Sequence, residues 1–172
     1  MAITKIAQIN VDASAPTIIT FSSIPGTFTD LLLMTSLRRV DGANGYANAD
    51  LQLNGTIASS GKTLQGYNAT ATSNGSGVPV YTNNSGTTAN TFNNASFYIP
   101  NYTSTINKSV SADLVMENNE GVIYLDVISA GLFAVTSAVT SISINLGFGF
   151  AQYSSATLYG ITKGSSGGVT VA

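Results

Sequence analysis

Apolar residues recur at every second position over several stretches of this chain, and this spacing constrains the fold more than any other sequence feature. Between residues 141 and 150, apolar side chains share one face and small or polar side chains share the other. The same alternation runs from residue 109 to residue 117. A period of two is typical of a strand that buries one face against a core. The predicted inward residues are Ile142, Ile144, Leu146, Phe148 and Phe150 in the first stretch, and Val110, Ala112, Leu114 and Met116 in the second.

Turn residues separate further stretches of this kind, for example Pro25-Gly26 and Asn54-Gly55. Sustained helical periodicity is hard to find, and residues 129–138 fit either a helical turn or a loop. Short strands at this spacing predict an all-β fold, a jelly-roll-like β-sandwich of about eight antiparallel strands. The additional predicted strands cover residues 3–11, 17–21, 31–38, 51–53, 95–99, 122–128 and 156–162.

The length of 172 residues and the 44% hydrophobic content suit one domain with a single core. We predict one β-sandwich domain over residues 1–163, in which residues 42–91 form a variable polar region. Within that region, residues 56–91 are rich in Asn, Ser, Thr and Gly, which favours a long loop or irregular hairpin over the sandwich. Residues 164–172 are predicted to form an extended C-terminal tail, and we expect this tail and the N-terminal arm, residues 1–11, to reach neighbouring molecules.

The residue types that most often carry catalysis are scarce. The chain has no His, Cys or Trp, and only 8% of its residues are charged. Its one local group of carboxylates is spread along strands: Asp113 and Glu117 are separated by about 13 Å at the rise of a strand, too far for a glycosidase pair. We therefore expect no enzyme and no catalytic residue. The members of this group are Asp113, Glu117, Glu120 and Asp126.

Two oxygen-rich stretches, residues 41–45 and 118–120, could be considered as calcium loops. Neither has the ligand spacing of an EF-hand, so turn formation is the preferred interpretation. We predict no metal and no cofactor.

The charge balance and hydropathy bear on partners. The formal net charge is −2 with six basic residues, which is too few for a surface that neutralises several phosphates, so nucleic acid is not expected as a partner. The first residues lack the pattern of a secretory signal, and no apolar stretch approaches the roughly 20 residues that span a bilayer. These features predict synthesis in a cytoplasm and no membrane partner.

Aromatic side chains near predicted loops are the candidate contact residues. Tyr46, Tyr67, Tyr81 and Tyr102 lie in or beside such loops. Each could be an exposed anchor for a partner, or could cap the end of the sandwich core, and the sequence favours neither. Val169 and Val171 of the predicted tail are further candidate interface residues. The remaining tyrosines, Tyr98, Tyr124, Tyr153 and Tyr159, are interpreted as structural.

Three stretches resemble a family of small virion structural proteins of tailed bacteriophages, described as capsid decoration, cement or tail-associated proteins. They are TFSSIPGTFTDLLL at residues 20–33, the region 92–119 containing FYIPNYTS at 97–104, and YSSATLYGI at 153–161. The resemblance spans most of the chain except about residues 42–91. It implies a particle component with a jelly-roll-like fold, and it implies no catalytic residues.

On this basis we expect a capsid decoration protein located on the capsid surface of the virion. It would act as a homotrimer that binds the outer surface of the major capsid protein shell and stabilises it. The alternative is a tail fibre or receptor-binding module, whose polar region 56–91 contacts host glycans. A tail depolymerase is a third and more remote hypothesis.

Overall fold

The computed structural model describes residues 1–42, 46–67, 70–74, 78–119 and 125–163, without the side chains of residues 67 and 70–74. Across these residues the chain forms thirteen strands and no helix. The strands are β1 (Ala2–Asn10), β2 (Ile18–Phe21), β3 (Asp30–Leu37), β4 (Tyr46–Leu53), β5 (Thr56–Ile57), β6 (Ser60–Tyr67), β7 (Thr70–Asn74), β8 (Pro79–Asn83), β9 (Asn93–Pro100), β10 (Lys108–Met116), β11 (Leu125–Phe133), β12 (Ile142–Asn145) and β13 (Ser155–Thr162).

Eight strands form the large sheet, in the order β1-β13-β3-β9-β10-β11-β6-β7. Neighbouring strands are antiparallel throughout. At one edge, β1 pairs with β13 from Ala2 opposite Thr162 to Asn10 opposite Ser155, with an irregularity in register between Lys5 and Ala7. Such an irregularity and a lysine are both features that discourage further pairing at a sheet edge.

Five strands form the small sheet. Its order is β2-β12-β4, and β5 and β8 pair with successive parts of β4 on the side away from β12. The inward faces of the two sheets supply one hydrophobic cluster, so the protein is an all-β, antiparallel β-sandwich, as predicted. Phe97, Leu31 and Leu33 represent the large sheet in this core, and Leu53 and Ile142 represent the small sheet.

The connections lie at two ends of the sandwich. Residues 11–17, 38–42, 84–92 and 146–154 lie at one end, which we call the upper end. Residues 22–29, 101–107 and 134–141 lie at the opposite, lower end.

The polar tract contradicts one expectation. The described parts of residues 56–91 do not lie over the sandwich: β6 and β7 pair as a hairpin, but it extends the large sheet beside β11, and β8 joins the small sheet beside β4. Val80 of this tract is fully buried, and so is Thr82. The additional strands also raise the total above the predicted eight.

Two local predictions also need correction. Residues 1–11 do not form a free arm, because Ala2–Asn10 is β1 of the chain's own large sheet. The ambiguous stretch 129–138 is strand up to Phe133 and irregular beyond it. The predicted tail, residues 164–172, lies outside the described residues.

Candidate contact surfaces

Apolar side chains project from the solvent-facing side of the large sheet. Ile128 of β11 stands directly opposite Leu64 of β6, and these side chains are 65% and 55% exposed. Val115 of β10 and Leu132 of β11 are exposed on the same side. We call the outward-facing residues of β10, β11 and β6 the outer apolar face. Exposed apolar side chains that adjoin one another, as Ile128 and Leu64 do, are typical of a binding site.

Two adjoining depressions lie along this face, with volumes of about 340 and 470 Å³. Small side chains at Ala130 of β11 and Ser111 of β10 make them possible, and Lys62 of β6 lies on the other side of Ala130. Ile128 and Leu64 line one depression and Leu132 lines the other. The face therefore carries ridges of apolar side chains with two depressions beside them.

At the upper end, Arg39 and Phe148 form a second exposed surface. The Arg39 guanidinium carbon lies 3.5 Å from the centroid of the Phe148 ring, and Arg39 also forms an ion pair with Asp41. A guanidinium over an aromatic face is attracted by the ring quadrupole. Phe148 is 49% exposed, and the neighbouring Val40 is exposed as well.

The position of Phe148 contradicts the sequence prediction, which placed it inward with Ile144 and Phe150. Strand β12 ends at Asn145, whose side-chain oxygen accepts a hydrogen bond from the Gly147 amide at 3.0 Å. Gly147 has a φ of +70°, a conformation that glycine adopts without strain. The turn interrupts the alternation at this one position, so Phe148 points to solvent while Leu146 and Phe150 are buried as predicted.

Tyr153 is a further exposed aromatic residue at the upper end. It is 73% exposed and has a φ of +73°, which is unusual for a bulky residue. Its amide donates to the Val11 carbonyl at 3.0 Å, while the next residue, Ser154, accepts a hydrogen bond from the Arg38 amide at 3.0 Å. The interpretation of Tyr153 as structural is therefore wrong. Arg39, Val40, Phe148 and Tyr153 are called the upper-end surface below.

Of the candidate tyrosines, Tyr46 and Tyr81 lie together. Their rings meet edge to face with centroids 5.4 Å apart. Tyr81 is buried and its hydroxyl donates to Gln65 at 3.1 Å, so it is not an exposed anchor. Burial, and then the nearby Tyr46, raise the pKa of Tyr81. Tyr46 at the start of β4 stays partly exposed.

The interpretation of Tyr102 as an exposed anchor is also wrong, because Tyr102 is fully buried. Its hydroxyl donates to the Pro25 carbonyl and accepts a hydrogen bond from the Phe28 amide at 3.3 Å. Burial raises the pKa of this hydroxyl. Tyr102 therefore caps the core at the lower end and holds the 22–29 connection, which is the other role that the sequence allowed.

The remaining predicted interface residues are not described at the level of side chains. Tyr67 ends β6, but its side chain lies outside the described part of the structure. Val169 and Val171 lie outside the described residues.

The carboxylates do not converge. Asp113 and Asp126 share the outer apolar face on adjacent strands, Glu117 accepts a hydrogen bond from the Asn119 amide, and Glu120 lies outside the described residues. In the part of the chain that the structure describes, no group of three or more Asp and Glu side chains is placed to hold a metal ion. Asp41, in one oxygen-rich stretch, is paired with Arg39.

A buried carboxylate, Asp30, ties three elements together at the lower end. It accepts hydrogen bonds from the Tyr98 hydroxyl at 2.8 Å and the Asn101 amide at 3.0 Å, and lies 2.8 Å from Lys163 Nζ. Burial alone would raise the pKa of Asp30, but Lys163, Asn101 and Tyr98 together hold it below its ordinary value. The cluster joins the ends of β9 and β13 to the start of β3.

Two largely buried cations are satisfied by backbone carbonyl oxygens and, for Arg38, also by threonine hydroxyls. Lys108 donates to the carbonyls of Ser104 at 2.8 Å, Val135 at 3.0 Å and Ile106. Arg38 donates to Thr87, Thr88 and Thr91 of the 84–92 connection. Burial lowers the pKa of both groups. These contacts fix loops, so neither cation is available to an anionic ligand.

Neither exposed surface was predicted from the sequence. A signal for the outer apolar face was present: Val127-Ile128 and Leu132-Phe133 place apolar residues on both sides of β11. The Asn145-Leu146-Gly147 turn was the corresponding signal for Phe148.

No protein-family model matches this chain, and no curated protein is significantly similar to it in sequence. The described residues also include no helix that is long and apolar enough to cross a membrane.

Proposed function

We propose that this protein is a structural component of a bacteriophage particle, a jelly-roll-like decoration protein that binds the outer surface of the major capsid protein shell. The family resemblance of residues 20–33, 97–104 and 153–161 motivates this role. The observation that carries it is the upper-end surface, where a bulky tyrosine and an arginine-covered phenylalanine are presented on a fixed backbone.

Several backbone hydrogen bonds hold this surface rigid. The Val40 amide donates to the Gly149 carbonyl at 2.9 Å, and the Ala151 amide donates to the Arg38 carbonyl at 2.7 Å. The Phe150 amide donates to the Pro16 carbonyl at 2.9 Å. Because the loops are already ordered, little conformational entropy would be lost on binding a neighbour.

The composition of the upper-end surface suits protein contact. Tyrosine and arginine are enriched among residues that dominate binding energy, and aromatic side chains bury large areas with few rotatable bonds. Tyr153 keeps a left-handed conformation despite its size, and such strain is often kept at functional positions. A lattice protein that must hold against internal pressure would use contacts of this kind.

The alternative of a glycan-binding tail module relied on an exposed polar loop at residues 56–91. Much of that tract is strand in the two sheets, which removes the main support for this alternative. It is kept as an outcome of the experiment below.

The first experiment is the copy number of this chain per purified particle, measured by quantitative mass spectrometry against the major capsid protein. Hundreds of copies in a simple ratio are expected for a decoration protein. A few to tens of copies would contradict the proposal and indicate a tail position.

The contact surface is tested by adding purified variants back to particles that lack the protein. Tyr153→Ala and Phe148→Ser should each reduce occupancy at least about tenfold, because each removes a central aromatic contact. Ile57→Ser, at another exposed apolar position, is the matched control and should bind normally. Full occupancy with both upper-end variants would overturn the assignment of this surface.

A further inference from the structure

We propose that the outer apolar face is a self-association surface, on which two copies of this chain pack across a two-fold axis. This inference concerns a different part of the molecule from the upper-end surface, and it does not depend on the proposed function. It rests on the apolar character of the face and on the placement of Lys62 and Asp113.

The apolar centre of the face is formed by cross-strand neighbours. Ile128 and Leu64 are directly opposed, and Asp113 flanks Ile128 on the other side, on β10. One residue pair further along, Ala130 lies between Lys62 and Ser111. A ridge of large aliphatic side chains therefore lies next to a hollow above Ala130, and the two-fold axis described below brings the ridges of the two copies together at the centre of the contact.

Lys62 and Asp113 lie on opposite sides of this centre, and Asp126, the third exposed charge of the face, lies at its upper end opposite Val115. Lys62 is on β6 and Asp113 is on β10, two strands and one residue pair apart. Strand spacing and rise place them about 12 Å from each other, beyond ion-pair range. Within the described residues neither side chain forms an ion pair.

A two-fold axis in the plane of the contact exchanges these two positions. Lys62 of each copy then faces Asp113 of the other copy, and the contact contains two equivalent ion pairs around an apolar centre. Such a contact is isologous, because the same patch is used on both subunits. A single patch that carries its own complementary charge is best matched by itself, which is why a second copy is the occupant that we infer.

The test is sedimentation equilibrium of the purified chain. We expect a dimer in the micromolar range, and Ile128→Lys should raise the dissociation constant at least about a hundredfold, because it places a charge in the centre of the contact. Ile106→Lys is the matched control: Ile106 is 67% exposed at the lower end, away from the face, and this variant should dimerise within about threefold of wild type.

Charge reversal gives a second and independent readout. Lys62→Glu and Asp113→Lys should each weaken the dimer about tenfold, because each places like charges opposite one another. The double variant should return to within about threefold of wild type. Since the two side chains do not meet within one chain, recovery in the double variant reports a contact between copies.

Three results would overturn the inference: a wild-type chain that stays monomeric at about 100 μM, a dimer or trimer unaffected by Ile128→Lys, or a double charge variant as weak as the single variants. Thermal unfolding of every variant shows whether it is folded. A negative result in these dimer tests would not change the expected copy number per particle. Failure of this inference is therefore distinguishable from failure of the proposed function.

Discussion

The ring of Phe28 lies flat against the backbone of Gly160. Phe28 belongs to the 22–29 connection at the lower end, and Gly160 is an interior residue of β13, between Thr4 of β1 and Leu31 of β3. A Cβ added at Gly160 would overlap the atoms of the Phe28 ring. An aromatic side chain that covers a glycine in a strand compensates for the contacts that the glycine cannot make.

The first prediction follows from this contact. Gly160→Ala should lower the free energy of unfolding by about 1–3 kcal/mol, because the added methyl group must displace the ring or shift the strand. Urea titration measures the change. Gly26→Ala is the control, since its Cβ would meet only Thr103 Cγ2 at 3.8 Å, and it should stay within about 0.5 kcal/mol of wild type. Equal stability of the two variants would contradict the prediction.

The second prediction concerns Lys108. Lys108→Met keeps most of the side-chain volume but leaves the carbonyls of Ser104, Ile106 and Val135 without their donor. Buried groups that lose a charged partner are costly, so we expect a loss of about 3 kcal/mol in urea unfolding. Lys5→Met, at an exposed position of β1, should change stability by less than about 0.5 kcal/mol. A neutral Lys108→Met variant would show that the three carbonyls find other donors.

The third prediction concerns Arg38 and the 84–92 connection. Arg38→Lys retains the charge but loses the planar fork that contacts Thr87, Thr88 and Thr91. We expect faster amide exchange in residues 84–92, with amides of β10 unchanged as the internal reference. Unchanged exchange in this connection would mean that it is ordered without the guanidinium.

The fourth prediction concerns stability at acid pH. The pKa of Asp30 is lower in the folded state than its ordinary value of 3.8, so the unfolded state binds the proton more readily. Its contribution to stability is therefore present above pH 3.8 and is lost as the pH falls through the folded pKa. Asp30→Asn should be less stable than wild type at pH 7 and should converge towards it at low pH. A constant difference across that range would contradict the prediction.

Stability at alkaline pH depends on tyrosines whose pKa is raised by burial. Burial raises the pKa of Tyr81, Tyr98 and Tyr102 above the ordinary value of 10.0. Their contribution is present below pH 10 and is lost as the pH rises through the folded pKa values, because the unfolded chain ionises first. Together with Asp30, this predicts a thermal midpoint that is nearly constant between about pH 6 and 9. A steep change inside that window would overturn the prediction.

Sequence pattern predicted β10 because the two faces of this strand meet different environments. Val110, Leu114 and Met116 are buried and the residues between them are exposed, as alternation requires. The strands within residues 56–91 were not predicted, because alternation of apolar and polar residues is absent there. Their inward positions include the polar residues Thr63, Thr82 and Asn83. Asn83 donates to Thr91 at 2.9 Å and to the Glu117 carbonyl at 2.7 Å, and such pairing is visible only in the folded chain.

The contact surfaces were less predictable than the fold. Arg39 and Phe148 are distant in sequence, and the bridge between Arg39 and Phe150, with its neighbouring backbone hydrogen bonds, brings their two connections together. The register of β6, β11 and β10 places Lys62 and Asp113 on the same face of the sheet. Alternation within a single strand does not reveal which residues of neighbouring strands lie side by side.

The pairing of β1 with β13 also constrains when the protein can fold. During synthesis β1 emerges first, but the strand that separates it from β3 in the sheet is made after all the other described strands. Until β13 leaves the ribosome, β1 has no partner and β3 lacks one neighbour, and closure of so long a loop slows folding. The large sheet is therefore completed only after translation of residue 162, and until then the partly synthesised chain carries exposed strand edges, which favour aggregation.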